Sequence, residues 1–343
     1  MNEALARFEA PSIAFFDVGL DDQRALSALC PPDWRLRFHE SIDIDPNTPE
    51  LTTTQVLCVF VRTGVTRQII DAMPNLALVT TRSTGLDHID LQACRERGVV
   101  VSGVADYGSG TVAEHTFALL LAIARRVCEA RARANQGSFS YRGLTGFDLE
   151  GKTLGIVGCG RIGQHMLRIA RGFGMELLAF DPAPMPGLAS SLGVRYVSWS
   201  ELLQRSDVIS LHVPLNTGTH HLLDGDAFAQ MKPGVVLLNT ARGALIDSSA
   251  LVRALESETV AAAGLDVLEE EDELSSEAPM GCGGLGCDRG WSPAPHHALL
   301  GHPRVLVTPH IGFNSREAVV RILDATVANI AAWQRDRSGS EAS

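Results

Sequence analysis

Gly158, Gly160 and Gly163 stand in G-x-G-x-x-G spacing, directly after the apolar run Thr153 to Val157 and before a helical stretch, Gln164 to Phe173. In a strand–turn–helix setting each glycine has its own task. The first permits a tight turn, the second lets backbone approach a pyrophosphate, and the third lets the helix pack against the strand. The free N–H groups of the helix start then face an anion. A second strand-like run, Glu176 to Phe180, ends in Asp181, at the distance where an acid meets the ribose hydroxyls of a dinucleotide. A carboxylate there accepts from a ribose diol and repels a 2′-phosphate. Pro182, Ala183 and Pro184 bring no cation to neutralise one, so NAD is favoured over NADP. Asp181 as a simple turn cap is the other reading.

Those residues need a parallel α/β scaffold, and the pattern of the chain supplies one. Strand-like runs at 12–18, 35–39, 55–61, 76–81 and 99–102 alternate with helical ones at 21–29, 66–73 and 90–97. Thr111 to Ala134 reads as one long helix, apolar at every position from Phe117 to Ile123. Such a helix is covered on several sides and suits a subunit interface. Alternation resumes with strands at 153–157, 176–180, 195–198, 208–211, 235–239, 260–265 and 305–307. A closing helix spans Ser315 to Trp333, with Asn314 and Glu317 in capping-box spacing. Between these, Asp272 to Leu300 has neither period and reads as an insertion. Its Cys282, Cys287, His296 and His297 do not match a zinc-finger spacing, and a flexible glycine loop without metal is expected.

The chain has 343 residues, 45% of them hydrophobic and 20% charged, which suits two globular domains. A net charge of −11 argues against nucleic acid or an anionic membrane as partner. No apolar run reaches membrane-spanning length and no signal-like segment opens the sequence, so a cytoplasmic location is expected. Seven cysteines, most of them scattered singly, fit reduced thiols.

Several segments together carry a family resemblance: Thr81–Asp90 (TRSTGLDHID), Thr111–His115 (TVAEH), Gly155–Gly163 (GIVGCGRIG), Leu211–Leu215 (LHVPL), Asn239–Gly243 (NTARG), Gly264–Val267 (GLDV) and Thr308–Gly312 (TPHIG). The chain resembles the NAD-dependent D-2-hydroxyacid dehydrogenases, nearest the D-lactate dehydrogenase-like branch, which also lengthens the segment corresponding to the insertion. The resemblance implies an α/β fold of two Rossmann-like, doubly wound parallel-sheet domains with the active site in the cleft between them. Residues 1–106 with 311–343 would form the substrate-binding, flavodoxin-like domain. Residues 107–310 would form the NAD-binding Rossmann domain, with the insertion at 272–300. A homodimer is implied as well.

Reducing a 2-keto acid needs a cation for its carboxylate and carbonyl, a general acid for the developing alkoxide and a placed nicotinamide. Arg242 follows a strand ending at Asn239, at the sheet edge where α/β proteins bind ligands. His310 follows the strand 305–307 at the same kind of edge and suits the acid. Glu271 matches the family position for the carboxylate that favours the charged imidazole, although it sits in the run Glu269-Glu270-Glu271-Asp272-Glu273, where a neighbour is an alternative. By resemblance, Thr84 and Gly85 cradle the substrate carboxylate and Arg62 lies on its C3 side, or is a solvated arginine. Tyr107 and Phe313 match pocket positions, or pack at a hinge. Arg161 and Ile162 are placed on the pyrophosphate with Thr219, and His212, Val213 and Pro214 near the adenine ribose. Thr240, Ala241 and Asp266 are placed near the nicotinamide, with Thr111 across from it.

The expected activity is reduction of a small 2-keto acid to the D-2-hydroxy acid. Glyoxylate or hydroxypyruvate reduction and 3-phosphoglycerate oxidation are the alternatives within the enzyme class. A dinucleotide-sensing, corepressor-like binding protein is the alternative outside it.

Overall fold

In the computed structural model, residues 10–271 and 295–340 are described. The chain forms two compact units, one of Met1–Tyr107 with Ser315–Ser343 and one of Gly108–Asn314. The later crossing falls after Asn314 because Ile311 N (3.0 Å) and Gly312 N (2.7 Å) donate to Asp266, which holds that turn in the second unit.

The first unit is built on a five-stranded parallel sheet of β1 (Ser12–Phe15), β2 (Arg35–Phe38), β3 (Val56–Val59), β4 (Leu78–Thr81) and β5 (Val100–Gly103), in the order β2-β1-β3-β4-β5. β1, β3 and β4 are buried at every position, as continuous apolar runs must be when helices cover both faces. The order reverses between β1 and β3, and Arg62 pairs with Asp17 at 3.1 Å just beyond their ends. The C-terminal helix Arg316–Ser340 packs against this sheet through Leu323 and Ile330. Its first turn is capped by Ser315 Oγ, which accepts from Ala318 N at 3.1 Å, so the cap is one residue later than the Asn314 expected from spacing.

The second unit carries a seven-stranded parallel sheet: β6 (Thr153–Val157), β7 (Glu176–Phe180), β8 (Arg195–Tyr196), β9 (Val208–Leu211), β10 (Val235–Asn239), β11 (Val260–Leu265) and β12 (Val305–Val307). Its order, β12-β11-β10-β9-β6-β7-β8, is a doubly wound dinucleotide-binding topology with one strand added at an edge. The helix Arg161–Gly172 lies on it through Gly163, Met166, Leu167 and Ala170, spaced three, one and three apart along a single face.

Two sequence expectations change here. The long helix expected over Thr111 to Ala134 is two helices, Ser109–Ala124 and Val127–Asn135. Arg126 between them takes a left-handed conformation (φ 51°), and Phe147 N donates to the Ala124 carbonyl, which ends the first helix. The stretch expected to lack helical period ends in one, Pro295–Gly301, which buries His296 and Leu299. A proline opens it and Leu299 anchors it to the core that β10 and β11 build. Cys282 and Cys287 lie outside the described residues.

Candidate active site

The dinucleotide chemistry begins where the order of the second sheet reverses, between β6 and β9. Gly158 follows β6 with φ 93°, and a Cβ placed on it would fall 2.6 Å from the His212 carbonyl oxygen and 2.8 Å from Val213 Cγ1. Gly163 lies so close to Gly158 that a Cβ would sit 2.1 Å from its carbonyl oxygen. Gly160 is the contrary case: a Cβ on it would meet nothing within 4 Å. One glycine is needed for the turn, one for packing, and the middle one leaves open room at the mouth of the helix. Gly160 is also the N-cap of Arg161–Gly172 and, having no side chain, places no capping group over the first turn of that helix. These features fit a pyrophosphate.

Asp181 ends β7 and turns both oxygens to backbone. Oδ2 accepts from Cys159 N at 2.7 Å and Oδ1 from Ala183 N at 2.8 Å. It therefore caps the turn and fixes the carboxylate beside the glycine loop at once, with lone pairs left for a diol. His212 Nε2 bonds Ser210 Oγ at 2.8 Å, and burial pushes its imidazole down to about 3, so it is neutral. Thr219 accepts from Asn216 N at 2.9 Å and donates to the Pro214 carbonyl at 2.6 Å, which binds His212–Pro214 and Thr219 into one turn. Thr240 is buried and shares a 2.8 Å hydrogen bond with Thr116, on the helix that also carries Thr111.

The groups suited to carbonyl chemistry follow the ends of β10, β11 and β12, and two of them, His310 and Glu271, are in contact. His310 Nδ1 lies 2.7 Å from Glu271 Oε1, and Glu271 Oε2 accepts from Leu268 N at 3.1 Å. Of the described acids in the run, then, Glu271 is the one facing His310. Glu269 faces His221 instead (2.5 Å), and Glu270 lies 3.6 Å from His296. His310 holds a left-handed backbone (φ 53°) and its N–H donates to the Asp266 carbonyl at 2.9 Å. Such a conformation in a non-glycine residue persists where its surroundings impose it.

What imposes it is Asp266. The residue is 2% exposed, and its carboxylate accepts from Thr308 Oγ1 (2.5 Å), Ile311 N (3.0 Å) and Gly312 N (2.7 Å), with His115 Nε2 at 3.2 Å. Burial alone would raise its pKa, but the donors from His115, Thr308, Gly312 and Ile311 outweigh burial and leave it below the ordinary carboxylate range. The geometry makes Asp266 the peg on which the 308–312 turn hangs. His115 and Thr308 complete that peg, and sequence reasoning gave them no role, although a lone histidine on an otherwise apolar helix face was a signal.

Arg242 stands three residues after the end of β10. Asn239, fully buried, shapes its turn by accepting from Ala241 N (3.0 Å) and donating to the Arg242 carbonyl (2.8 Å). Of the residues expected to hold substrate, Phe313 is in this unit and half-buried. The rest belong to the first unit. There Thr84 donates to the Val104 carbonyl (2.8 Å), Gly85 accepts from Ser83 Oγ (2.9 Å), and the Tyr107 carbonyl accepts from Arg321 Nε (2.6 Å).

Residues 117–312 match the family model described as "D-isomer specific 2-hydroxyacid dehydrogenase, NAD binding domain". The chain belongs to the D-isomer-specific 2-hydroxyacid dehydrogenase family. This dehydrogenase is 37% identical to a D-lactate dehydrogenase of Escherichia coli over 299 residues, covering 87% of this chain and 88% of the relative. It is 37% identical to a hydroxypyruvate reductase of Thermotoga maritima over 286 residues, covering 82% and 86%. Among solved structures, the D-lactate dehydrogenase of Aquifex aeolicus complexed with NAD and lactic acid superposes with a TM-score of 0.84 at 33% identity, covering 94% of this chain and 96% of that one. The dehydrogenase is thus an NAD-dependent enzyme acting on 2-hydroxy acids, and the open mouth at Gly160 is consistent with that cofactor.

Proposed function

We propose that the protein reduces a small 2-keto acid to its D-2-hydroxy acid, with His310 as general acid and base, Glu271 as its partner and Arg242 as the anchor for carboxylate and carbonyl. The observation that carries this reading is the 2.7 Å pairing of His310 Nδ1 with Glu271 at the strand ends. It commits one ring nitrogen to the carboxylate and presents Nε2, on the opposite side of the ring, to a substrate oxygen. NADH supplies the hydride. As the ketone oxygen gains charge, the Arg242 guanidinium stabilises it and His310 gives it a proton; in the oxidative direction His310 takes that proton back. Thr84, Gly85, Arg62, Tyr107 and Phe313 belong to the proposed substrate contacts. The NAD contacts proposed are those around Gly158–Gly163, Asp181, His212–Pro214, Thr219, Thr240–Ala241 and Thr111, with Asp266 acting through the 308–312 turn.

The substrate proposed first is pyruvate or a near relative, because two of the relatives reported above are named D-lactate dehydrogenases. Hydroxypyruvate is the second reading, favoured by the Thermotoga relative's name. A steady-state screen of pyruvate, glyoxylate, hydroxypyruvate and longer 2-keto acids, each with NADH and NADPH, decides between them. His310→Ala and Arg242→Ala are each expected to lower kcat/KM by about 10²-fold or more. Wild-type turnover in either variant would remove that residue from its role. Tight NADH binding without turnover of any keto acid would point to a sensing protein.

A cytoplasmic homodimer completes the proposal. Phe139 and Tyr141 stand 91% and 84% exposed on the loop after Val127–Asn135, apolar surface that a second copy would cover. Among the described residues no helix is long and apolar enough to cross a membrane. Light scattering that returns the mass of one chain would refute the dimer.

A further inference from the structure

Among the described residues, and outside the groups assigned to the reaction, one cluster combines metal-ligating side chains from distant parts of the sequence. His220, His221 and Glu269 place one ligand atom each within 4.8 Å of one another. The two imidazoles stack with centroids 4.0 Å apart, and His221 Nε2 lies 2.5 Å from Glu269 Oε1. We propose that His220, His221 and Glu269 form a surface site for a borderline transition-metal dication, Zn²⁺ being the type ion.

Two imidazoles and one carboxylate are a donor set that suits Zn²⁺, with water in the fourth position. Bonds of about 2.0–2.2 Å in a tetrahedron put neighbouring ligand atoms about 3.3 Å apart. The cluster needs only a small adjustment to reach that. The ion would enter between His221 and Glu269, and His220, the exposed member, would turn in to join them.

The backbone already holds the ligands in place. His221 keeps a left-handed conformation (φ 50°) while its N–H donates to the Ala244 carbonyl at 2.8 Å, and Leu223 N donates to the Leu245 carbonyl at 3.0 Å. Glu269 is fixed from the other side, where Oε2 accepts from Ser248 N at 3.3 Å. The ligands thus come from two segments that both rest on residues 243–248. The site shares no ligand with Arg242, Glu271 or His310. Bound metal would tie His220–His221 to Glu269 and so stabilise the folded chain by mass action.

The test is calorimetric titration of ZnCl₂ into the dialysed full-length protein and its His220→Ala variant, with thermal melts alongside. His220 is exposed and outside the proposed reaction, so the variant should fold and turn over like the parent. Expected are one Zn²⁺ equivalent that His220→Ala weakens by about 10-fold or more, and a rise in Tm of about 2 °C or more that the variant loses. The Co²⁺-loaded protein should show d–d bands without a thiolate charge-transfer band. Zn²⁺ affinity unchanged by His220→Ala, no binding at all, or a thiolate band tied to the lost equivalent would each overturn the site.

Discussion

Gly243 packs its Cα flat against the peptide of Leu268: a Cβ on residue 243 would fall 2.0 Å from the Leu268 carbonyl carbon and 2.3 Å from Glu269 N. The turn that presents Arg242 and the turn that presents Glu271 are thereby in backbone contact. Nothing larger than hydrogen fits between them, so the spacing of the two turns is set by the main chain.

Gly243→Ala should therefore force the two turns apart, since both clashing partners are backbone and neither can rotate away. We expect a loss of stability of about 1–3 kcal/mol together with a fall in kcat/KM larger than the fall in NADH affinity. Urea melts and steady-state kinetics on the same preparation check it. Wild-type kinetics in a stably folded variant would show that the contact does not set the geometry.

The glycine fingerprint gives a cleaner contrast. Gly160→Ala adds a methyl to open space, at a φ of −62° that alanine accepts, so the melting temperature should stay put while the KM for NADH rises by about 10-fold or more. Gly163→Ala drives a methyl against the Gly158 carbonyl and should instead lower stability by about 1–3 kcal/mol. The reverse pattern would mean that the mouth of this helix is not where the pyrophosphate sits.

Much of this arrangement was legible in the sequence because it rests on local rules. β6, β7, β9, β10, β11 and β12 are apolar runs that end where the run ends, and Arg242 and His310 were placed by counting from those ends. The break at Arg126 was not legible: no glycine or proline marks it, and the Phe147 N–H that closes the preceding helix comes from beyond the next one. Neither were the pairings of Glu269 with His221 and of Glu270 with His296, whereas that of Glu271 with His310 is the one the family position implied. Composition treats three adjacent glutamates alike. The fold separates them because consecutive side chains leave a turn in different directions, and each imidazole arrives from a different strand end or helix. The same holds for Asp266, whose donors lie 42 or more residues away.

Asp266 makes acid sensitivity a test of the peg. Its folded-state pKa is depressed, so the stability it contributes is present above its unfolded value of about 3.9 and is lost as pH falls through the lower folded value. Asp266→Asn should be less stable than the wild type at neutral pH, with the gap narrowing below about pH 4. Parallel urea melts at pH 7 and pH 3 measure it. A gap that is constant or widens on acidification would show that the carboxylate charge is not what holds Thr308, Ile311 and Gly312.

Glu271→Gln isolates the partner of His310. The amide keeps the shape of the side chain and can still bond the ring, but it removes the carboxylate charge that stands 2.7 Å from Nδ1. The variant should lose about 10²-fold in kcat/KM for the keto acid at neutral pH, with NADH affinity and the urea midpoint unchanged. Fluorescence titration of NADH, steady-state kinetics and urea melts on one preparation measure it. Wild-type turnover, or a loss matched by a fall in stability, would reduce Glu271 to a support for Leu268 N, which its other oxygen already accepts from at 3.1 Å.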